Sequence, residues 1–232
     1  WWAVAAAVAA FCVYAAPVVI SGQATWAGFL KLDDSSAWMA IADRVMSHGL
    51  SLAGLPPSGY RDVLHFYLGS GYPIGAFLPL GIGRSLVGWD VAWLFQPYLA
   101  FLGALVALGA WSVTEPLVRS PRLRALAAFL GAQSALLFGY YLWGGIKEVA
   151  AAALVVTVAG LAAFAIREWR AARPLVPLAV VSAALIGVLG GGGAVWLAPM
   201  LLAVVVATWL LAGGVQALVR AAGFAILTGL LW

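Results

Sequence analysis

The stretch that decides the fold is VAWLFQPYLAFLGALVALGAWSV, which runs from residue 91 to residue 113 without one charged side chain. About 20 consecutive, mostly apolar residues are enough for a helix to cross the hydrocarbon core of a bilayer. Asp90 stands immediately before this run and Glu115 shortly after it, so charges bracket the apolar segment. The stretch therefore predicts a transmembrane helix.

Composition extends this prediction to the whole chain. Hydrophobic residues make up 65% of the sequence and charged residues 9%, whereas soluble domains are roughly 45 to 50% apolar. The mean hydropathy is +1.05. We therefore predict an all-α, polytopic transmembrane helical bundle, with about six or seven spans of the length that a bilayer requires. These spans are 1–20, 91–113, 125–143, 149–166, 175–190, 194–212 and a segment from about residue 221.

The two ends of the chain both lie in apolar sequence. The chain begins without Met inside one apolar run and stops at Trp232 inside another. We therefore expect residues 1–232 to be a single transmembrane domain cut from a longer protein. The first run has a second interpretation as a signal-peptide core, because YAAP at 14–17 loosely resembles a small-residue cleavage site. Its length and the lack of a basic leader favour a span.

Basic residues predict the orientation of the spans, because short cytoplasmic loops are enriched in Lys and Arg. Alternate loops of this chain carry Arg119, Arg122, Arg124, Arg167, Arg170, Arg173 and Arg220. We expect these loops to face the cytoplasm of a bacterial inner membrane, and residues 21–90 to form a long extracytoplasmic loop. The net charge of +4 is then a topology signal. It does not indicate a nucleic-acid partner, which would require a basic stripe on a soluble face.

The long loop after the first span has a helical pattern of its own. Apolar residues recur at helical spacing in 36–47 and again in 60–69, which predicts two short amphipathic juxtamembrane helices on the outer surface of the bilayer. Asp43 and Arg44 fall outside the first apolar stripe, so we expect both to be solvated. Asp33 and Asp34 come just before this helix, where a carboxylate can cap a helix or interact with its dipole.

The loop as a whole resembles the first outer loop of the GT-C superfamily of membrane glycosyltransferases. The resemblance lies in the acidic pair of KLDD at 31–34, the two surface helices after it, and the return through GYPIGAFLPLG at 71–81. DVAWLFQPYLAF and YLWGGIKE are also similar to multi-span actinobacterial proteins that are grouped loosely with these enzymes. The resemblance implies sugar transfer from a polyprenyl-phosphate donor to an envelope glycan, lipid or protein acceptor. It further implies that Asp33 is the catalytic base and that Asp34 supports it.

The chemistry of glycosyl transfer indicates which other residues matter. A carboxylate takes the proton of the acceptor hydroxyl, and a second carboxylate nearby raises the proton affinity of the first. The departing lipid phosphate gains negative charge, which a cation stabilises. The candidate substrate-binding residues are Arg61, His65, Lys147 and Glu148, although each also has an ordinary interpretation as a solvated or interfacial charge. Lys147 and Glu148 depart from the two-carboxylate motif of some family members, so the need for a divalent cation stays open.

Two other function classes stay open. A transporter or flippase of lipid-linked or small substrates typically has ionisable groups or broken helices near the bilayer midplane. The interiors of the predicted spans from 91 to 212 carry no charged side chain at that depth, and a tight turn explains the glycine run 190–193 equally well. A noncatalytic membrane protein of envelope assembly is compatible with every feature above.

Overall fold

The computed structural model of the protein describes residues 1–22 and 32–232, with side chains from residue 34 onward in the second segment. Within these ranges the chain is all-helical and contains no strand, as predicted. The helices are α1 (Trp2–Ser21), α2 (Leu32–His48), α3 (Gly59–Gly69), α4 (Leu78–Val87), α5 (Val91–Thr114), α6 (Pro121–Gly131), α7 (Ala135–Trp143), α8 (Ile146–Arg167), α9 (Leu175–Leu189), α10 (Gly192–Ala212) and α11 (Gly214–Leu231).

Within the described residues, five helices are long and apolar enough to cross a membrane, which makes the chain a multi-pass membrane protein. They are α1, α5, α8, α10 and α11. The predicted span 125–143 consists of two helices, α6 and α7, which are bent by 50° and count as a sixth candidate only if taken together. The break arises because Ser134 accepts a hydrogen bond from the N–H of Leu137 and so caps a new helix there.

Two other predicted spans have different boundaries. The segment 175–190 forms α9, whose 15 residues are fewer than a span of ordinary thickness requires. This helix ends at Leu189, Gly190 after it has a φ of 60°, and α10 begins at Gly192, so the chain turns tightly within the glycine run. The last helix begins at Gly214, well before the predicted start near residue 221, because only Gly213 separates it from α10.

The central helix of the bundle is α5, which packs against α1 and α8. Glycines on its surface allow the close approach, with Gly103 against the ring of Tyr14 in α1 and Gly109 against Val156 in α8. Helices in membranes pack through such small residues, because lipid offers no hydrophobic drive for one helix to meet another. The hydroxyl of Tyr14 also donates a 2.7 Å hydrogen bond to the carbonyl of Ala132, which joins α1 to the break between α6 and α7.

The two ends of the bundle differ in charge. At one end Glu115 forms ion pairs with Arg167 at 3.0 Å and with Arg124 at 3.7 Å. Arg220 of α11 donates a 2.9 Å hydrogen bond to the carbonyl of Ala171, so the α5–α6 and α8–α9 loops and α11 all meet here. We call this the basic end, because its loops and the adjoining helix segments carry seven arginines and two glutamates. The opposite end, which we call the polar end, contains α2, α3, α4 and the start of α8.

The helices of the polar end only partly match the prediction. α2 begins at Leu32 and not at residue 36, so Asp33 and Asp34 lie within its first turn. Its apolar face packs into the bundle, where Ile41 is fully buried. In α3, Leu64 is buried, whereas Tyr60 is exposed and Tyr67 and Leu68 are half-buried. The helix α4 was not predicted. The position of α2 and α3 at a membrane surface stays a prediction.

Arg44 is buried, so the prediction that it is solvated is wrong. Its guanidinium donates hydrogen bonds to the carbonyl of Ser51 at 2.8 Å and to the carbonyl of Ala53 at 2.9 Å. Asp43 forms an ion pair with Arg84 of α4. The two neighbouring charges therefore connect α2 to the following loop and to α4, which a pattern of apolar spacing does not reveal.

We expect Arg44→Met to lower the free energy of unfolding by about 1–3 kcal/mol, because two partly buried carbonyls lose their donor. Arg61→Met is the matched control, since Arg61 is exposed and its side chain makes no hydrogen bond or ion pair within the described ranges. Thermal unfolding in detergent, followed by circular dichroism, measures both variants. Equal unfolding midpoints for the two would contradict the role of Arg44.

Candidate functional site

The first turn of α2 meets the corner between α7 and α8, and this contact builds the candidate site. Gly144 at the corner has a φ of 78°, and its N–H donates to carbonyls at the end of α7. It is buried against Ser35, whose Oγ a Cβ at position 144 would overlap. Glycine alone combines the left-handed backbone with this close approach. The contact brings Asp34 and Ser35 to the start of α8. With Tyr72, Lys147 and Glu148 they form what we call the polar-end cluster.

Lys147 in the first turn of α8 points at an aromatic ring. Its Nζ lies 4.0 Å from the ring centroid of Tyr72, in the loop between α3 and α4. A cation over the face of an aromatic ring is attracted by the ring quadrupole, which holds the two groups together. The α3–α4 loop is thereby attached to the corner between α7 and α8.

The Tyr72 hydroxyl is partly buried and is influenced by two carboxylates. Burial, and then the charges of Glu148, Tyr67 and Asp34 in that order, raise the pKa of Tyr72 to about 12. The carboxylates of Asp34 and Glu148, which are far apart in sequence, therefore act on the same phenol. A phenol with this pKa stays protonated at neutral pH, so it serves as a hydrogen-bond donor and not as a base.

Aromatic side chains form the wall behind the cluster. The ring of Trp38 stacks on Phe77 at 4.8 Å and on Tyr72 at 5.6 Å, and Tyr67 meets Tyr72 edge to face at 5.0 Å. Such pairs stabilise the fold by roughly 0.5–1.5 kcal/mol beyond the contribution of the apolar area that they bury. They hold the Tyr72 ring in one orientation, so its face is available to Lys147.

The structure groups some of the predicted site residues and separates others. Asp34, Lys147 and Glu148 belong to one cluster, and Asp33 lies in the same first turn of α2, although its side chain lies outside the described part of the structure. Arg61 and His65 are exposed on α3 and have no side-chain hydrogen bond or ion pair within the described ranges. Tyr72 was not among the site residues predicted from the sequence. The feature of the sequence that could have identified Tyr72 is its position in the GYPIG turn at 71–75.

An apolar cavity of about 510 Å³ lies next to the cluster, inside the bundle. Gly75, three residues after Tyr72, and Ala150, three residues after Lys147, both line it. Gly75 donates a 3.1 Å hydrogen bond to the carbonyl of Gly187 in α9, which closes one side of the opening. The remaining lining is mostly aliphatic and includes Phe101, Leu105, Leu154 and Val188. The cavity therefore suits a hydrocarbon chain, and the polar-end cluster lies a few residues away along the chain.

The cluster can accept a proton, donate a hydrogen bond and attract an anion. Among the described residues, no group of three or more His, Cys, Asp or Glu side chains is arranged to hold a metal ion. The Oγ of Ser35 is buried and has no hydrogen-bond partner within the same ranges, so it is a further polar group of the cluster. Comparison of the chain with known protein families, with curated proteins and with solved structures gave no match.

Proposed function

We propose that the protein is a GT-C-type membrane glycosyltransferase, which transfers a sugar from a polyprenyl-phosphate donor to an acceptor of the cell envelope. The observation that carries the proposal is the position of the polar-end cluster beside the apolar cavity. A lipid-linked sugar has the same division, with a charged phosphate and sugar at one end and a long hydrocarbon chain at the other. Gly75 and Ala150 of the cavity are each within one helical turn, in chain distance, of Tyr72 and Lys147.

In this proposal the acidic pair supplies the base. Asp33 takes the proton from the acceptor hydroxyl as the sugar carbon becomes cation-like, and Asp34 keeps the proton affinity of Asp33 high by like-charge repulsion. Both carboxylates lie in the first turn of α2, where the helix dipole favours negative charge.

The cations and donors of the cluster act on the phosphate. Lys147 is the candidate for stabilising the charge that develops on the leaving lipid phosphate, because it lies one helical turn before Ala150, which lines the cavity. Tyr72 stays protonated and donates a hydrogen bond to the same group. Arg61 and His65 are exposed on α3, so in this proposal they bind parts of a substrate that extend away from the cavity.

The proposal includes an orientation. The excess of arginines at the basic end favours a cytoplasmic location for that end, by the positive-inside rule. The polar-end cluster and residues 21–90 then face the outside of a bacterial inner membrane. A lipid-linked donor reaches this face from within the bilayer, and the acceptor approaches from the aqueous side.

Cysteine labelling tests the orientation. We expect Ser58→Cys, in a Cys12→Ser background, to react in intact cells with a reagent that does not cross the membrane, because Ser58 is exposed at the start of α3. Leu117→Cys is the matched variant, since Leu117 is 79% exposed at the basic end. It should react only after permeabilisation. The reverse pattern would reject the orientation.

Reconstitution tests the activity itself. The full-length protein in liposomes, supplied with a radiolabelled polyprenyl-phosphate sugar, should release free polyprenyl phosphate as label moves to an acceptor extract. A transferase produces both changes in equal amount. Movement of intact donor from one leaflet to the other, with no release of lipid phosphate, would exclude the transferase and favour a flippase.

One observation favours a transporter as the second candidate. α6 and α7 are bent by 50° at their break, and discontinuous helices line the substrate sites of many transporters. The Nε2 atom of Gln133 at this break and the hydroxyl of Tyr141 in α7 are buried without hydrogen-bond partners in the described part of the chain. Neither group is ionisable at neutral pH, so the break offers no charge for coupling substrate movement to an ion gradient.

A further inference from the structure

We infer that a cavity at the basic end binds the phosphate group of an anionic phospholipid. The cavity measures about 600 Å³ and lies where the α8–α9 loop meets the corner between α10 and α11. Its polar lining is formed by Trp169, Arg170, Gln216 and Arg220, and its apolar lining includes Leu211 and Val215. The inference does not rest on the proposed transferase function, because the cavity is at the opposite end of the bundle from the polar-end cluster.

The two arginines of this cavity are among the four at this end that form no ion pair with a carboxylate in the described structure. Glu115 is paired with Arg167 and Arg124, and Glu168 is paired with Arg173. Arg170 and Arg220 form no ion pair within the described ranges, although both line the same cavity. Two uncompensated guanidinium groups at one cavity attract an anion.

The guanidinium of Arg220 is held in a position that suits phosphate. Its Nη1 donates hydrogen bonds to the carbonyls of Trp169 and Ala171. Its Nε and Nη2 atoms, which form another edge of the planar group, are buried and have no hydrogen-bond partner in the described structure. An edge with two parallel N–H donors matches two oxygens of a phosphate, and leaving buried donors unpaired costs free energy. Both atoms are covered in this conformation, so an anion in the cavity reaches them only when the side chains that cover them move.

The apolar half of the cavity identifies the source of the phosphate. Leu211 and Val215 are 51% and 77% exposed on α10 and α11, two helices that are apolar enough to span the membrane. In the membrane, acyl chains lie against these two side chains, so a phospholipid bound there places its phosphate beside the arginines. Arg170 also stacks over Trp169 at 4.7 Å, an arrangement typical of the interface between water and lipid. Basic pockets between membrane helices bind anionic head groups in the same manner.

The test measures lipid binding to the full chain purified in a neutral detergent, by native mass spectrometry. We expect phosphatidylglycerol to bind at least tenfold more tightly than phosphatidylcholine, which has no net charge. Arg170→Gln should weaken phosphatidylglycerol binding about tenfold, the usual effect of losing one charge-assisted contact. Arg119→Gln is the matched control, because Arg119 is exposed at the same end outside the cavity, and it should bind as the wild type does.

Three results would overturn the inference. Equal affinity for the two lipids would remove the role of charge, and equal weakening by Arg170→Gln and Arg119→Gln would indicate only nonspecific attraction to the basic end. Inorganic phosphate that displaces phosphatidylglycerol at millimolar concentration would assign the cavity to a small soluble anion. Arg220→Gln is a second variant for the same comparison. Arg220 also holds the α8–α9 loop, so Arg220→Gln can weaken lipid binding by disturbing the fold. The binding result for Arg220→Gln is therefore used only if this variant unfolds at the same temperature as the wild type. Otherwise the binding result for Arg170→Gln tests the inference alone.

Discussion

Asp33→Asn should lower the rate of sugar transfer by about 10²- to 10⁴-fold, the usual contribution of a positioned general base. The amide keeps the size of the carboxylate and much of its hydrogen bonding, but it cannot accept the proton of the acceptor hydroxyl. Stability should change little, because loss of the favourable interaction with the helix dipole costs only about 0.3–1 kcal/mol. The assay is transfer from a polyprenyl-phosphate sugar by the full-length protein in liposomes, with thermal unfolding of the same preparation.

Two further variants separate catalysis from helix stabilisation. Asp62→Asn removes an exposed carboxylate from the first turn of α3, so it should cost similar stability and leave transfer intact. Asp34→Asn should reduce transfer less than Asp33→Asn, because Asp34 is proposed to act on the base and not on the substrate. Normal transfer by a folded Asp33→Asn protein would end its assignment as the base. If Asp34→Asn caused the larger loss, the two roles would be exchanged.

Gly75→Ala should lower the free energy of unfolding by about 1–3 kcal/mol, which is typical of overpacking at a tight contact. A Cβ at this position would lie 2.6 Å from the carbonyl carbon and oxygen of Gly187 and 3.0 Å from the nitrogen of Val188. These are backbone atoms, so they cannot move aside as the end of a flexible side chain does. The α3–α4 loop must shift instead, and it would lose its hydrogen bond to Gly187.

The matched control for this substitution is the glycine on the other side of the contact. A Cβ at Gly187 would have no heavy atom within 4 Å, and Gly187 lies inside α9. Gly187→Ala should therefore be neutral or stabilise the protein by about 0.5–1 kcal/mol, the gain from helix propensity. Thermal unfolding of both variants in detergent gives the comparison. Stability changes of the same sign would argue against the backbone contact between Gly75 and Gly187.

Gly75→Ala should also affect the site. Tyr72 is three residues earlier in the same loop, and its ring faces Lys147 at 4.0 Å. A shift of the loop moves this ring away from Lys147 and opens the rim of the cavity. We therefore expect weaker binding of the lipid-linked donor, seen as a higher KM. An unchanged KM in a destabilised variant would separate the loop from the donor site.

Local features of the sequence determined the helices themselves. Uncharged apolar runs predicted the segments that became α1, α5, α8 and α10, because helix formation and membrane insertion depend on neighbours within a few turns. The caps are local as well. Asp90 accepts a hydrogen bond from the N–H of Ala92, and Ser120 accepts one from the N–H of Leu123. Each of these two residues therefore caps its helix and fixes the position at which the helix begins.

The tertiary structure decided which polar residues meet. Ser35 and Gly144 are more than a hundred positions apart, and no local pattern in either segment predicts that they touch. The same holds for Lys147 and Tyr72, and for the buried position of Arg44. The physical reason is that lipid is as apolar as the interior of the bundle, so hydropathy places a helix in the membrane but does not choose the face that it turns to its neighbours. That choice depends on shape, through glycines such as Gly103 and Gly109, and it is settled only when the helices pack.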